Sequence, residues 1–235
     1  MSSSATRPAI AKALGQTALF AGLDEQDLLG LVERATARHY AKGEVILHQD
    51  DPAGAFHIVR EGRVKIATSS ADGRESLLAL IGPGQCFGEI AALDGGPRSA
   101  TVTAIENVET MAVAREDLLA FVRTRPDFAL RLIATLATRL RRIDARLEDA
   151  HFLGLEARFA RLLLDLAEEH GMVTTEGIVV PLVLTQSEIA AMIGATRVSA
   201  NRLLRSYQAR GLIRRTRTEL VLLRVEELRF RANSE

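Results

Sequence analysis

Apolar residues follow two different spacings along the chain, and this change restricts the folds that the chain can adopt. Between Gly43 and Val113 they form short runs of Val, Ile and Leu. Turn signals interrupt these runs at Glu61-Gly62, Asp72-Gly73, Gly82-Pro83-Gly84 and Gly95-Gly96-Pro97. This pattern predicts a compact antiparallel β-barrel or sandwich. Within it, residues 56–59 and 64–66 are predicted to pair as a hairpin.

Helical spacing precedes and follows this segment. The stretch up to about Arg38 is predicted to be helical, with Asp24 as N-cap and a buried stripe made of Leu28, Leu29, Leu31 and Val32. After Pro126, apolar residues recur in alternating steps of three and four, at Ile133, Leu136, Leu140, Ile143, Leu147 and Ala150. This heptad seam can pack against the chain's own barrel or pair with a second copy. The length of the helix and the charges on its other faces favour the second copy.

The C-terminal third predicts two helices joined by a tight turn. Thr185-Gln186-Ser187-Glu188 has the order of a capping box, in which the Thr hydroxyl and the Glu carboxylate satisfy free amides at a helix start. A short helix over 187–193, a break at Gly194 and a second helix over 196–209 follow. Residues 212–224 predict two strands around Arg217-Thr218-Glu219. Such a helix pair is also common in plain helical bundles.

Charge is balanced over the whole chain but not locally. The 30 basic and 30 acidic side chains give a formal net charge of zero. No acidic residue interrupts the seven arginines Arg197, Arg202, Arg205, Arg210, Arg214, Arg215 and Arg217. A solvated helix face explains most charge runs, whereas unrelieved like charge of this density favours a polyanionic partner.

Cysteine and hydropathy patterns limit the class of protein. Cys86 is the single cysteine, and no Cys/His set has the spacing of a zinc or iron–sulfur site, so no internal disulfide and no metal are expected. No apolar run approaches the roughly 18 residues that a membrane span needs. We therefore expect a cytoplasmic protein with no membrane partner.

The segment from Phe87 to Val102 contains the groups that a phosphate–ribose ligand requires. Arg98 can hold a phosphate with its planar guanidinium, Ser99 adds a hydroxyl and an amide, and Glu89 can accept from a sugar hydroxyl. Gly88 and the Gly95-Gly96 pair allow close approach of the backbone. By chemistry alone, Glu89 and Arg98 could equally form an ordinary ion pair.

This segment resembles the phosphate-binding cassette of cyclic-nucleotide-binding domains, and the similarity extends over nearly the whole chain to the cAMP receptor protein/FNR family of regulators. Gly88 and Glu89 match the family's ribose-binding pair, and Arg98 and Ser99 match its phosphate-binding pair. The resemblance implies a ligand site formed by Gly88, Glu89, Ile90, Ala91, Arg98, Ser99 and Ala100. It implies cAMP as effector, with cGMP or no nucleotide as the alternatives.

The resemblance also assigns the C-terminal helices to DNA. The second helix of a helix-turn-helix enters the major groove and the first crosses the backbone. The implied DNA-contacting residues are Thr185, Gln186, Thr196, Arg197, Val198, Ser199 and Arg202. Arg197 and Arg202 match the family's two contact arginines. Val198 replaces a Glu that accepts from cytosine in many members, and its apolar side chain favours a thymine methyl.

The match departs from the family on the long helix. Two hydroxyl residues that contact adenine in a well-known member align with Ile143 and Asp144, and neither can repeat those contacts. Ile143 is expected to be core, and Asp144 to be a solvated charge or a partner of Arg141 or Arg142. The sharper hypothesis is that Asp144 accepts hydrogen bonds from the edge of adenine or guanine. Haem ligation by a histidine is disfavoured, because the five histidines His39, His48, His57, His151 and His170 are scattered.

Taken together, the sequence predicts an α+β fold in three parts. With the resemblance, residues 1–129 are expected to form a cyclic-nucleotide-binding antiparallel β-barrel of the double-stranded β-helix type, residues 130–156 a dimerisation helix and hinge, and residues 157–235 a winged helix-turn-helix. The resemblance implies a homodimer that binds a two-fold symmetric DNA operator and acts on RNA polymerase. A nucleotide-binding module for a protein partner would need no recognition helix. An enzyme would need an activated nucleophile, a metal set or paired catalytic acids, which the sequence lacks.

Overall fold

Twelve strands and nine helices occur in residues 6–69, 75–181, 184–216 and 218–233, which are the residues that the computed structural model describes. The helices are α1 (Thr6–Gly15), α2 (Glu25–Arg34), α3 (Glu89–Asp94), α4 (Arg115–Thr124), α5 (Pro126–Phe152), α6 (Leu155–His170), α7 (Gln186–Ile193), α8 (Arg197–Ala209) and α9 (Val225–Ala232). The strands are β1 (Thr36–Tyr40), β2 (Val45–Leu47), β3 (Phe56–Glu61), β4 (Val64–Ser69), β5 (Glu75–Ile81), β6 (Cys86–Phe87), β7 (Thr101–Ala104), β8 (Val108–Val113), β9 (Met172–Thr174), β10 (Gly177–Val180), β11 (Ile213–Arg215) and β12 (Leu220–Leu222). The chain divides between Arg141 and Arg142 into two compact units. The predicted turn at Asp72-Gly73 lies outside the described residues.

The first unit contains two four-stranded antiparallel sheets, consistent with a jelly roll. Their strand orders are β1-β8-β3-β6 and β2-β7-β4-β5. β3 and β4 therefore belong to different sheets, and the prediction that they pair as a hairpin was wrong. Gly62, at φ 75°, turns the chain from one sheet to the other. A Cβ at this position would lie 2.1 Å from the backbone oxygen of Asn107, so the crossing requires glycine.

The N-terminal helical prediction is correct over α1 and α2 but wrong at its end. Asp24 caps α2, and its carboxylate accepts from the backbone N–H of Asp27 at 2.7 Å. The helix ends at Arg34, and residues 36–40 form β1 instead of a last helical turn. β1 pairs with β8 from Thr36 opposite Ala112 to Tyr40 opposite Val108. Pairing along the edge of the sheet thus overrides the local preference for helix.

Two apolar clusters stabilise the first unit. The larger one lies where α1, α2, α4 and the start of α5 meet the β1-β8-β3-β6 sheet, and its rings Phe20 and Phe128 stack with centroids 5.5 Å apart. The smaller cluster contains residues from both sheets, among them Val59, Val64 and Phe87. The cassette segment begins at Phe87, so this core fixes its starting point.

Helix α5 shows an apolar seam that the chain itself leaves exposed. Ile133 is 60% exposed, Leu140 58% and Leu147 56%. Phe128 and Leu132, nearer the start of the helix, are buried in the first unit. The structure therefore does not show the whole seam packed against the chain's own barrel.

The second unit is a winged helix-turn-helix. Thr185 and Glu188 form the capping box at the start of α7, as the sequence predicts, and Gly194 ends the helix in the left-handed region at φ 62°. β11 and β12 confirm the predicted hairpin and join β10 and β9 in a sheet of order β11-β12-β10-β9. β10 extends as far as Val180, and Leu182 and Val183 lie outside the described residues. Tyr207 and Phe159 pack edge to face at 4.9 Å in the core beneath α8.

Candidate functional site

A left-handed glycine places the cassette residues around one turn. β6 ends at Phe87, Gly88 has φ 76°, and α3 starts at Glu89. A Cβ on Gly88 would lie 2.8 Å from Nη1 of Arg98, so a larger residue would push the arginine away. The sequence places Gly88 and Arg98 ten residues apart, and the fold brings them into contact.

Arg98 is a buried cation that backbone carbonyls hold in position. It is 4% exposed. Its Nη1 donates to the carbonyl of Gly88 and its Nη2 to the carbonyl of Ala55, both at 2.9 Å. Its own backbone pairs with the turn at Asp50-Asp51, since its carbonyl accepts from Asp50 N at 2.9 Å and its N–H donates to Asp51 O at 2.8 Å. Asp50 adopts a φ of 69° in this turn.

The charge of Arg98 is not neutralised by a direct ion pair among the residues that the structure describes. Burial lowers the pKa of its guanidinium, and the charges of Asp51 and Glu89 oppose this shift. A buried charge is costly unless a counter-charge or hydrogen bonds compensate it. A guanidinium has five N–H donors, and the two carbonyl contacts orient it in advance. The site is therefore suited to a small anion such as a phosphate.

Glu89 is paired, but with Arg139 of α5 and not with Arg98. Glu89 is 3% exposed, and its Oε1 accepts from Nη1 of Arg139. Arg139 also donates to the carbonyl of Cys86. Burial by itself lowers the pKa of the Arg139 guanidinium, but the charge of Glu89 and the interactions with Cys86 together outweigh burial, so the net shift is upward. The ordinary Glu89–Arg98 ion pair, considered from the sequence, is thus not formed.

Sequence reasoning did not find Arg139. It lies beside the seam residue Leu140, among the arginines of α5, at Arg141, Arg142 and Arg146. Spacing alone does not distinguish it from these solvated neighbours. The signal available in advance was the carboxylate of Glu89, because a buried carboxylate requires a cation or several donors.

The other predicted cassette residues occupy different environments. Ile90 is exposed, Ala91 and Ala100 are buried, and Ser99 is exposed directly after Arg98. Ile90 and Ala91 lie in the first turn of α3, whereas Ser99 and Ala100 lead into β7. The structure thus places these residues on both segments that flank the Arg98 guanidinium.

Ile143 and Asp144 lie on α5 in the second unit, and both are exposed. Arg142 pairs with Glu169 at 3.0 Å, and Arg141 donates to the hydroxyl of Thr138 at 3.2 Å. The alternative in which Asp144 pairs with Arg141 or Arg142 is therefore not what the structure shows, because both arginines have other partners. Ile143 is 44% exposed, so within one chain it is not core.

Two buried groups lie behind the cassette. The ring of His57 stacks on Phe87 with a centroid distance of 4.9 Å, and its Nδ1 lies 3.1 Å from the hydroxyl of Thr110. Burial lowers the pKa of His57 to about 4, and the charges of Arg98 and Arg38 add to this effect. Burial raises the pKa of the Cys86 thiol to about 12. Both groups are thus neutral at pH 7.

The predicted DNA-contacting residues cluster at the starts of α7 and α8. Thr196 caps α8, and its hydroxyl accepts from the backbone N–H of Ser199 at 3.2 Å and donates to the Ser199 hydroxyl at 3.1 Å. Thr185 has the corresponding role on α7. The side chains of Arg197, Val198 and Arg202 are exposed on α8, with Val198 at 79%. Gln186, half-buried, lies between the two helices.

The arginine run is partly neutralised by acidic residues from elsewhere. Arg210 pairs with Glu156 at 3.3 Å, and Arg214 pairs with Glu176 at 2.6 Å. The expectation of unrelieved positive charge was therefore wrong at these two positions. Arg197, Arg202 and Arg205 lie on the exposed side of α8, so the basic surface is concentrated on this helix.

Within the described ranges, no group of three or more His, Cys, Asp or Glu side chains could hold a metal ion. No described helix is both long and apolar enough to span a bilayer.

Comparison with known proteins places both units in one family. Residues 37–125 match the cyclic nucleotide-binding domain, and residues 157–231 match the Crp-like helix-turn-helix domain. The CRP-like cAMP-activated global transcriptional regulator of Mycobacterium tuberculosis is 32% identical over 219 residues, which cover 93% of this chain and 98% of that protein. The cyclic AMP receptor protein of Thermus thermophilus is 35% identical over 196 residues, covering 83% and 88%.

Solved structures agree with this assignment. The c-di-GMP responsive global regulator CLP of Xanthomonas campestris superimposes with a TM-score of 0.72 at 25% identity, covering 85% of this chain and 99% of that one. The order of jelly roll, long helix and winged helix-turn-helix is thus shared along the chain. On these grounds, the chain belongs to the CRP/FNR family of cyclic-nucleotide-binding transcriptional regulators.

Proposed function

We propose that the protein is a homodimeric regulator that binds cAMP in the cassette and, in response, binds a two-fold symmetric DNA operator. The observation that carries the effector assignment is Arg98, a buried guanidinium that two carbonyls orient and no carboxylate contacts among the described residues. A cyclic phosphate supplies the missing negative charge. The names of the Mycobacterium and Thermus relatives support cAMP as the nucleotide.

The cassette residues divide the nucleotide between them. Arg98 and Ser99 bind the phosphate, Gly88 and Glu89 bind the ribose, and Ile90, Ala91 and Ala100 line the site. Glu89 already accepts a hydrogen bond from Arg139 of α5. A ribose hydroxyl that donates to Glu89 therefore shares this carboxylate with the helix that carries the seam. Asp144 remains our candidate for contact with the base, with Ile143 beside it.

The DNA-contacting surface is the start of α8 together with the start of α7. Arg197, Val198 and Arg202 approach base edges, Thr196 and Ser199 form the capped first turn, and Thr185 and Gln186 lie where α7 meets the phosphate backbone. Two such surfaces in a dimer reach half-sites about 34 Å apart on one face of the duplex. Along the sequence, the dimer helix, residues 130–156, follows the sensor at 1–129 and precedes the DNA-binding domain at 157–235. Bound at an operator, the dimer acts on RNA polymerase.

A second effector has a specific observation in its favour. The Xanthomonas structural relative is described as responsive to c-di-GMP, and it covers 85% of this chain. Cyclic GMP shares the phosphate–ribose chemistry of cAMP. All three nucleotides therefore belong in one experiment.

Titration calorimetry with cAMP, cGMP and c-di-GMP tests the assignment. We expect cAMP to bind, and Arg98→Ala to weaken binding about a hundredfold or more, because hydrogen bonds to charged groups contribute about 1.5–3 kcal/mol each. Arg63→Ala is the control, since Arg63 pairs with Glu106 at 3.2 Å outside the cassette. Binding of another nucleotide that also depends on Arg98 would replace cAMP as the effector. Binding of none would refute the effector proposal and leave DNA binding to be tested separately.

A further inference from the structure

Two carboxamide side chains connect the start of α7 to the exposed side of α8. Nε2 of Gln186 donates to Oδ1 of Asn201 at 3.3 Å. Oε1 of the same glutamine accepts from Nε of Arg197 at 3.3 Å. Gln186 thus connects two side chains of the recognition helix, Asn201 and Arg197, through hydrogen bonds.

The hydrogen bonds of this network fix the orientation of both side-chain amides. An arginine has donors and no acceptor, so it must face the oxygen of the Gln186 amide. The nitrogen of that amide then faces Asn201 and requires an acceptor, which is Oδ1. The orientation of the Asn201 amide is therefore set by Arg197 through Gln186, with Nδ2 left on the other side.

Asn201 lies on the flank of α8 next to Gln186, between the core-facing side and the exposed side. It follows Arg197 by four residues, which places both on one face of a helix. The core-facing side is formed by Ala200, Leu204 and Tyr207, all buried. Asn201 is half-buried, and Val198 and Arg202 are exposed beside it.

We propose that Asn201 reads an adenine and that Gln186 is a positioning residue for both Asn201 and Arg197. An asparagine recognises adenine by accepting from N6 and donating to N7. Oδ1 has a second lone pair for N6–H, and Nδ2 is directed by the network to donate to N7. Arg197, held through Nε, keeps its two terminal nitrogens for O6 and N7 of a guanine. This inference rests on the proposed DNA binding by α8.

A purely structural role makes a different prediction. If the network only fastens α7 to α8, changing it lowers thermal stability and weakens binding to every DNA sequence alike. A reading role changes the relative affinity for sequences that differ at one base pair. The added charge in an Asp or Glu variant weakens binding to all DNA sequences alike, so it does not change the ratio of affinities for two sequences.

The experiment selects operators from a random duplex library in the presence of saturating cAMP, with the wild-type protein, three test variants and one control variant. Wild type should prefer one adenine per half-site next to a guanine. Asn201→Ala should lose the adenine preference, and Asn201→Asp should move it towards cytosine, because a carboxylate accepts from cytosine N4. Gln186→Glu keeps the acceptor for Arg197 and removes the donor to Asn201, so it should loosen only the adenine preference. Arg205→Ala, on an exposed arginine of the same helix, is the control for lost charge.

A change in the DNA keeps the test independent of whether the variants fold. Replacing the selected adenine by 7-deazaadenine removes N7, and wild-type affinity should fall roughly tenfold to a hundredfold. An unchanged affinity, or an unchanged base preference in folded Asn201→Ala, would overturn the assignment of Asn201. Loss of the guanine preference in Gln186→Glu would overturn the separate roles of its two amide atoms. A wild-type protein that selects no sequence would instead refute the DNA-binding proposal itself.

Discussion

Arg98 and His57 show two ways in which this fold keeps a basic side chain in its interior. Arg98 stays charged because backbone carbonyls accept from it. His57 is neutral, since burial and the nearby arginines Arg98 and Arg38 lower its pKa to about 4 from the ordinary value of 6.5. The hydroxyl of Thr110, 0% exposed, lies against its Nδ1. The difference between the folded and unfolded pKa of His57 makes stability depend on pH.

We expect acid to destabilise the protein through His57. The unfolded residue binds a proton near pH 6.5 and the folded one near 4, so the contribution of the neutral ring is complete above about pH 6.5 and is lost as the pH falls towards 4. At 1.36 kcal/mol per pH unit, the loss is about 3 kcal/mol. Urea unfolding at pH 7 and pH 4.5 measures most of this loss, because pH 4.5 is still above the folded pKa.

His57→Gln should reduce this dependence, so that the variant loses less stability between the two pH values than the wild type. Carboxylates that titrate in the same range contribute equally to both proteins and cancel in the comparison. His48→Gln, which removes an exposed histidine of the same unit, is the control. Equal pH dependence in wild type and His57→Gln would contradict the assignment.

At the scale of single residues, the sequence was informative where several functional side chains lie close together along the chain. The resemblance to the cassette drew attention to Gly88, Glu89, Arg98 and Ser99, and the structure shows Glu89 and Arg98 buried. Arg139 and Asn201 were missed because their partners, Glu89 and Gln186, are 50 and 15 residues away in sequence. Only the folded chain brings these pairs together, and the local pattern around each is that of an ordinary solvated helix.

Among the elements, α5 carries the clearest unfilled surface. Its seam shows apolar side chains that are 44–60% exposed at Ile133, Leu140, Ile143 and Leu147. Apolar residues spaced by three and four along a 27-residue helix are typical of pairing with a second helix. The exposure supports the dimer that we propose.

Leu140→Arg should convert the dimer into a monomer. The substitution destabilises the dimer in two ways. The loss of a leucine buried in the interface costs about 2–5 kcal/mol, and burial of an unpaired charge adds a further cost. Analytical ultracentrifugation measures the oligomeric state. Ala145→Arg places the same charge on an exposed position off the seam and should leave the dimer intact. A Leu140→Arg protein that remains dimeric would rule out this seam as the interface.

The sequence predicted elements better than their pairing. The seam, the capping box at Thr185 and the hairpin of β11 and β12 were all identified, because their signals lie within a few neighbouring residues. The prediction that β3 and β4 pair as a hairpin was wrong. The direction of the chain after Gly62 depends on the close approach of Asn107, which is distant in sequence. The extent of α2 was overestimated for the same reason, because β8 draws residues 36–40 into a sheet.

At the scale of the whole molecule, the proposed regulation couples two binding equilibria, that of the nucleotide and that of the operator. This coupling must act in both directions. If the nucleotide tightens operator binding by some factor, the operator must tighten nucleotide binding by the same factor. This holds whichever cyclic nucleotide is the effector. It therefore tests the regulatory proposal separately from the identity of the ligand.

We expect the dissociation constant of cAMP to fall on addition of saturating operator by the factor that cAMP produces in operator binding. Typical couplings are about 5- to 150-fold. Calorimetry with and without duplex provides one factor, and a DNA-binding titration with and without cAMP provides the other. Arg197→Ala should weaken operator binding and leave cAMP binding to the free protein unchanged. Two factors that differ beyond error would contradict simple linkage between the sites.

The pairing of β1 with β8 has a consequence for how the protein is made. Thr36 must wait for Ala112, its partner across the sheet, and at about 5–20 residues per second a ribosome needs roughly 4–15 s to synthesise the chain between them. β2 waits similarly for β7. During this interval the strands expose unpaired edges, which are prone to aggregate. The helices α7 and α8, neighbours in sequence, have no such delay, so nascent chains are most vulnerable before Val113 emerges.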